Sequence, residues 1–340
     1  MNSKTAIISF VMAGIFASAI HTASAQDFYK GKTLSIIVGF SPGGVYDSTA
    51  RILARHIGDH IPGKPTVIVQ TMTGAGGFTA VMYLYNRAVR DGTVICMPPR
   101  SYPIAPFVND QLHYDGRGLI PLGSTTSERQ VGAVWHEVGV TQFDDLMKRE
   151  ISAGVTSYYD DVGYDTLLTK AITGAKLKVV TGYPGGNDIS AAMERREVDS
   201  EFGWSWGAIK TRSKDWLDRK KINIVLQIGT EKSPELPGVP FIMDYAKNDL
   251  DRRALELLLA PDSFAWPFVA PPGIPADRIA LLRQAFDATM KDPSFLNDAK
   301  QAALEINPIN GEAIQTEINQ ILGFDGSVIE RAKKLVKPPT

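Results

Sequence analysis

Three times between Leu34 and Tyr102 a short apolar run breaks at a turn rich in glycine, proline or serine. After the first two breaks a helical pattern begins at once. The run Leu34–Phe40 is apolar at nearly every position and stops at Ser41-Pro42-Gly43-Gly44. Such a run, bounded by turn residues, reads as a strand buried on both faces. Ala50, Leu53, Ala54 and Ile57 then fall at helix spacing, with Arg51, Arg55 and Asp59 between them. The run Thr66–Met72 leads through Thr73-Gly74-Ala75-Gly76-Gly77 into a helix carrying Val81, Leu84, Tyr85 and Ala88. Asp91-Gly92 turns the chain into Thr93–Met97, followed by Pro98-Pro99-Arg100-Ser101-Tyr102. Strands alternating with helices require right-handed crossovers and a parallel sheet, so all three loops must share one sheet edge. Helix starts at such an edge present unpaired N–H groups and positive dipole ends, which suit an anion.

A second set of the same kind follows a looser stretch, Gln111–Ser127. Ser152–Thr156 ends in Ser157-Tyr158-Tyr159-Asp160-Asp161-Val162-Gly163, and a helix through Leu167, Leu168 and Ala171 stops at Gly174. Lys176–Thr181 ends in Gly182-Tyr183-Pro184-Gly185-Gly186-Asn187, with Asn187 expected to cap a helix. Val198–Phe202 ends in Gly203-Trp204-Ser205-Trp206-Gly207, and Ile222–Ile228 closes the set. Thr230–Pro240 reads as a surface connection, and the helices after Pro275 are expected to pack back on the first set. The expected architecture is α/β, two lobes around a central ligand cleft. Residues 26–127 with 233–340 form a discontinuous first lobe, and residues 128–232 form the second.

Residues 1–25 stand apart. Lys4 precedes the apolar run Ala6–Ile20, and Ala23-Ser24-Ala25 supplies small residues for cleavage. This is the pattern of a secretory signal peptide cleaved after Ala25, and the run is short for a membrane anchor. The formal charge is −1 and no basic block occurs, so nucleic acid is not an expected partner. Cys96 is the single cysteine, which excludes an intrachain disulfide; its apolar surroundings give it the role of a small core residue.

No catalytic constellation emerges. Gly203-Trp204-Ser205-Trp206-Gly207 matches the G-x-S-x-G elbow of serine hydrolases, but none of His21, His56, His60, His113 and His136 follows Ser205, as that order of triad requires. Gly74-Ala75-Gly76-Gly77 lacks the spacing of a nucleotide loop. His56 and His60 stand four apart but lack the H-E-x-x-H context of a metal site. No cofactor and no metal are therefore expected. What remains is a set of loops with the make-up of a pocket: aromatic walls and a few polar groups. The candidate ligand-binding residues after the first three strands are Phe40, Ser41, Gly43, Gly44, Val45, Tyr46 and Asp47, then Gly76 and Gly77, then Arg100, Ser101 and Tyr102. The second set contributes Ser157, Tyr158, Tyr159 and Asp160, then Tyr183, then Trp204, Ser205 and Trp206. Arg100 has two readings: a two-pronged partner for a carboxylate, or a surface salt bridge to Asp110 or another nearby acid.

The ordered series resembles a known family. The signal peptide, Pro42-Gly43-Gly44 with Asp47, Gly74-Ala75-Gly76-Gly77, Asp91-Gly92, Ser233-Pro234-Glu235-Leu236-Pro237-Gly238-Val239-Pro240 and Pro271-Pro272-Gly273-Ile274-Pro275 are similar to marks of the tripartite tricarboxylate transporter solute receptors, the Bug family. The resemblance implies a type 2 periplasmic-binding-protein fold and a periplasmic, monomeric receptor. It implies a small carboxylate ligand held by backbone and small polar groups, partly through ordered water. It also implies delivery to a transporter with one large and one small membrane subunit. Carried onto this chain it points to Ser41–Asp47, Gly76-Gly77, Ser157–Asp160, Tyr183 and the loop after Phe202. An alternative is presentation of the ligand to a sensor kinase; another is hydrolysis through Ser205. The chain departs from the family at Tyr46, at Tyr158–Gly163, at Pro184 and in the aromatic loop Gly203–Gly207. Those changes lead to the expectation of a larger or more apolar acid, stacked on aromatic rings.

Overall fold

The computed structural model describes residues 28–339, and the export signal read in residues 1–25 lies outside them. The strands in chain order are β1 (Thr33–Val38), β2 (Thr66–Thr71), β3 (Val94–Met97), β4 (Ile120–Ser124), β5 (Gln130–Trp135) and β6 (Ile151–Val155). They continue as β7 (Leu177–Thr181), β8 (Ser200–Ser205), β9 (Ile222–Ile228), β10 (Pro267–Ala270) and β11 (Ile309–Asn310). Two sheets result, ordered β11-β4-β10-β3-β1-β2 and β7-β6-β8-β5-β9. In the first, β1 runs parallel to β2 and β3. In the second, β6 runs parallel to β7 and β8. The loops leaving these strands therefore gather at one edge of each sheet, as the alternation of strands and helices requires.

The helices that frame the site start at those edges: α1 (Val45–His56), α2 (Phe78–Asn86), α3 (Asp161–Thr173), α4 (Gly186–Glu194) and α5 (Trp206–Arg212). Later come α6 (Asp249–Leu259), α7 (Ala276–Thr289) and α8 (Gly326–Leu335). The chain passes from one sheet to the other between β4 and β5, and returns between β9 and β10. The crossing strands β4 and β5 are absent from the sequence expectation because each carries a glycine that breaks the apolar pattern. A Cβ on Gly123 would lie 2.2 Å from a ring carbon of Phe286, and one on Gly132 would lie 2.4 Å from a ring carbon of Phe202. In both lobes a phenyl ring fills the space a side chain would take, a usual reason for glycine inside a strand.

The apolar core has two parts. One lies under α1 and α7 and includes Leu34, Ile36, Leu53, Phe268 and Phe286. The other begins on the opposite face of the first sheet, at Phe78 and Val81. It runs on through Val134, Leu168 and Phe202 of the second lobe and takes in Leu255 and Leu335. α8 lies along α6 and touches α3. One apolar core thus spans both lobes on the hinge side, which leaves the opposite side free to form a cleft. Cys96 is fully buried with a free thiol. Among the described residues no helix is long and apolar enough to cross a membrane.

Candidate functional site

The two loop edges face each other across a cavity of about 380 Å³. The first lobe contributes Phe40 and Gly43–Tyr46, and Trp266 comes from the returning strand. The second lobe contributes Thr156, Asp160–Val162, Gly185–Asn187 and Gly203–Ser205, with Arg212 and Trp216 beyond them. Both glycine turns lead into helices whose first residues have no side-chain cap: Gly44 before α1 and Gly185 before α4. The first N–H groups of a helix have no internal partner. Two uncapped, positively polarised helix ends therefore open on one cavity, one from each lobe.

Nine of the candidate residues line this cavity: Phe40, Gly43, Gly44, Val45, Tyr46, Arg100, Asp160, Trp204 and Ser205. The others are brought close to the cleft but used differently. Ser41 bridges the lobes, its Oγ 2.7 Å from Asp188 Oδ2 and 3.0 Å from Asn187 Oδ1. Its N–H donates to the Pro184 carbonyl. Asp47 accepts from the Gly43 N–H and pairs with Arg51, which fixes the turn into α1. Gly76 sits against the second lobe, where a Cβ would lie 2.7 Å from the Cβ atoms of Ser157 and Asp160. Gly77 packs under Gly39, Phe40 and Pro99. The Ser101 N–H donates to Asp161 Oδ1, and Tyr102 is fully buried in the first lobe. Ser157 Oγ accepts from the Tyr159 N–H. Tyr158, Tyr159 and Tyr183 pack on the apolar core. Tyr183 turns toward Gly154, leaving Gly185–Asn187 as the part of its loop that faces the cavity. Trp206 turns outward, where its Nε1–H donates to Glu235.

Arg100 lines the cavity, but its ion pairs are buried and not on the surface. Its side chain is only 6% exposed, and its donors meet Asp262 at 2.6 Å, Asp165 at 3.1 Å and Asp161 at 3.4 Å. Asp161 also accepts from the Arg100 and Ser101 N–H groups and from the Tyr46 hydroxyl. Arg100 thus ties the first lobe to α3 and to the returning segment. Burial and mutual repulsion raise Asp165, and burial raises Asp262 to about 6, because one guanidinium cannot neutralise three buried acids. Among the described residues, the cation of the cavity with no acidic partner is Arg212, at the end of α5. Its Nη2 donates to the Gly43 carbonyl at 2.7 Å and to Ser48 Oγ at 3.3 Å, across the cleft. Partial burial lowers its pKa, and among the described residues it pairs with no acid.

The walls are aromatic. Phe40 stacks on Tyr46 with centroids 4.2 Å apart, and Trp266 meets Tyr46 edge-on at 4.7 Å. Opposite them, Trp204 meets Trp216 edge-on at 6.1 Å. The buried end is polar: Gln130, Thr156, Asp160 and Glu201 each present a side-chain atom with no hydrogen-bond partner. Gln130, Glu201, Trp216 and Trp266 had no local signal: Glu201 stands beside Asp199 and Ser200 in a stretch that is polar at three of five positions.

Ser205 does not sit in a catalytic arrangement. Its Oγ accepts from the Ala208 N–H at 3.0 Å and caps α5. Glu128 lies beside it, raised to about 7 by burial. The described histidines lie elsewhere: His56 and His60 pair with Asp298 and Asp292, His113 lines a separate groove, and His136 follows β5 beside Trp135. No cluster of metal-ligating side chains occurs among the described residues.

No family model matches the chain. It is 23% identical over 310 residues to a protein described as "UPF0065 protein in tcbD-tcbE intergenic region" of Pseudomonas sp. strain P51, covering 87% of this chain and 85% of that one. It is 33% identical over 103 residues to Protein BugT of Bordetella pertussis, covering 30% of this chain and 31% of that one. Its structure is similar to that of the periplasmic binding protein BugD, with a TM-score of 0.70 at 20% identity over 90% of this chain and 98% of that one. It is also similar to MatC of Rhodopseudomonas palustris with bound malate, with a TM-score of 0.68 at 15% identity over 90% and 99%. The fold is that of two-lobed periplasmic binding proteins.

Proposed function

We propose, from the chain's kinship with the Bug-type solute receptors, that it captures a small organic carboxylate between its lobes and does no chemistry on it. The observation that carries this function is the convergence of two uncapped helix ends, one from each lobe, on a single aromatic-walled cavity. A solute carboxylate at the open end would meet the N–H groups of Gly44–Tyr46 and Gly185–Asn187 and the guanidinium of Arg212. A hydrogen bond to a charged group contributes about 1.5–3 kcal/mol. A helix end adds about 0.3–1 kcal/mol. A few such contacts reach the ~8 kcal/mol of micromolar binding after ordering losses. The MatC structure holds a malate, an acid of this class.

In this proposal the ligand-contacting set is Phe40, Gly44, Val45, Tyr46, Asp160, Trp204, Ser205 and Arg212. Ser41, Gly76 and Ser157 act in closing the lobes. The lobe division proposed is 26–127 with 233–340, and 128–232. The protein would act as a monomer in the periplasm after loss of residues 1–25 and deliver its solute to the membrane subunits of a tripartite tricarboxylate transporter. Closure would bury the ligand and form the surface those subunits read.

The test is calorimetry of purified protein against aliphatic and aromatic acids, with mass spectrometry of small molecules released on denaturation. A released acid that rebinds at micromolar concentration is the expected result. Fluorophosphonate labelling of Ser205 would overturn the receptor assignment in favour of a hydrolase.

A further inference from the structure

The buried end of the cavity is lined by two acids and by no base of its own among the described residues. Asp160 and Glu201 are 1% and 2% exposed, and both line the cavity. Asp160 accepts the Gly163 N–H with Oδ1, while its Oδ2 has no partner; Glu201 Oε2 has none either. The Gln130 amide and the Thr156 hydroxyl beside them are also unpartnered and also line the cavity. Buried polar groups are almost always satisfied, so four orphans around one hollow describe a site awaiting a polar occupant. Among the described residues no cation is available to pair the two acids. The guanidinium of Arg100, near Asp160, is already engaged by Asp161, Asp165 and Asp262, and Arg212 stands at the exposed rim.

We propose that the solute carries a protonated amine as well as a carboxylate, with its nitrogen paired to Asp160 and Glu201 at the buried end and its carboxylate at the Arg212 rim. This rests on the receptor function above and narrows its substrate class to small zwitterions. An ammonium group donates three hydrogen bonds and accepts none, which suits the two carboxylates and one of the neutral oxygens of Thr156 and Gln130. The rings of Trp204 and Tyr46 on either side offer faces that attract a cation.

Proton exchange gives an independent signature. Asp160 is faced by Asp161 and Arg100, and Glu201 by Asp160; burial, then neighbouring negative charge, raises both acids well above their usual range. Unpaired, both are driven toward the protonated form. An incoming cation lets them ionise, so its binding releases protons to the buffer, whereas a second carboxylate requires those protons to stay.

The experiment is calorimetry at pH 7.5 with matched probes. These are 6-aminohexanoate against adipate, and 4-(aminomethyl)benzoate against benzene-1,4-dicarboxylate, each in two buffers of different ionisation enthalpy. The expected result is at least tenfold tighter binding of an amino acid than of its matched diacid, with net proton release. Glu201→Gln should abolish that preference while leaving thermal stability intact, and Asp160→Asn, which keeps the cap on α3, should weaken it. Equal or tighter binding of the diacids, with no proton release, overturns the cation site and leaves the carboxylate receptor standing. Binding of none of the four probes, together with no small molecule released from the purified protein, overturns both.

Discussion

The hinge side and the open rim of the cleft each carry an arginine from a loop or helix end, and the two are in opposite circumstances. Arg100 is enclosed by three carboxylates drawn from α3 and the returning segment. Arg212 reaches over the cleft to a carbonyl and a hydroxyl of the other lobe, and meets no acid. A charge whose donors are saturated in a buried network holds structure together. A charge at a rim, partly desolvated and unpaired, is available to a solute. The comparison separates the residue that positions the lobes from the residue that senses what lies between them.

The largest effect should come from breaking the hinge. Arg100→Met leaves three buried acids without a counter-charge, and removing one partner of a buried pair typically costs about 3–5 kcal/mol. Urea unfolding should show that loss. Retained stability with a tenfold loss of affinity would instead make Arg100 a ligand group.

A smaller effect belongs to Glu128 on the same side. Its pKa is about 7 when folded, against 4.5 for a free glutamate. The folded state therefore holds the extra proton between those values, and stability falls as pH rises through that window. Glu128→Gln should match wild type near pH 4.5 and exceed it by about 1–3 kcal/mol at pH 8. Thermal melts across pH read this directly. An unchanged slope would mean that water reaches the carboxylate.

At the rim, Arg212→Gln should leave stability within about 0.5 kcal/mol, as for an ordinary surface change. Affinity for acids should fall about tenfold, the loss of one charge-assisted bond. An unaltered affinity would remove Arg212 from the site. The smallest effect is expected for Tyr46→Phe. That change deletes the bond from the Tyr46 hydroxyl to Asp161 across the cleft and keeps the ring stacked on Phe40. Affinity should fall only a few-fold, since one hydrogen bond contributes about 1 kcal/mol. A loss above tenfold would mean that the ring itself moves.

Much of this arrangement was legible in the chain. Short runs ending in turn residues placed β1, β2, β3, β6, β7 and β8, and with them the loop edges. Gly44 and Tyr46 were found because they follow a strand end; Phe40 closed the run read as β1, and Trp204, read as a loop residue, lies inside β8. The crossing strands were hidden because Gly123 and Gly132 owe their presence to rings distant in sequence, Phe286 and Phe202. The partners of Arg100 were hidden for a similar reason: Asp262 lies 162 positions away and joins it only through the return of the chain. Arg212 and Trp216 carry no local mark at all, since a helix end becomes a rim only once the other lobe is opposite it. Glu201 carries none either: it follows Asp199 and Ser200, and only the folded sheet reveals an acid inside a buried strand.

Gly76 stands in the left-handed region at φ +63, and an added methyl would strike Ser157 and Asp160 of the facing lobe. That face seats only when the lobes approach to within a single carbon's width. A side chain at this position would hold the two lobes apart at a point outside the lining of the cavity.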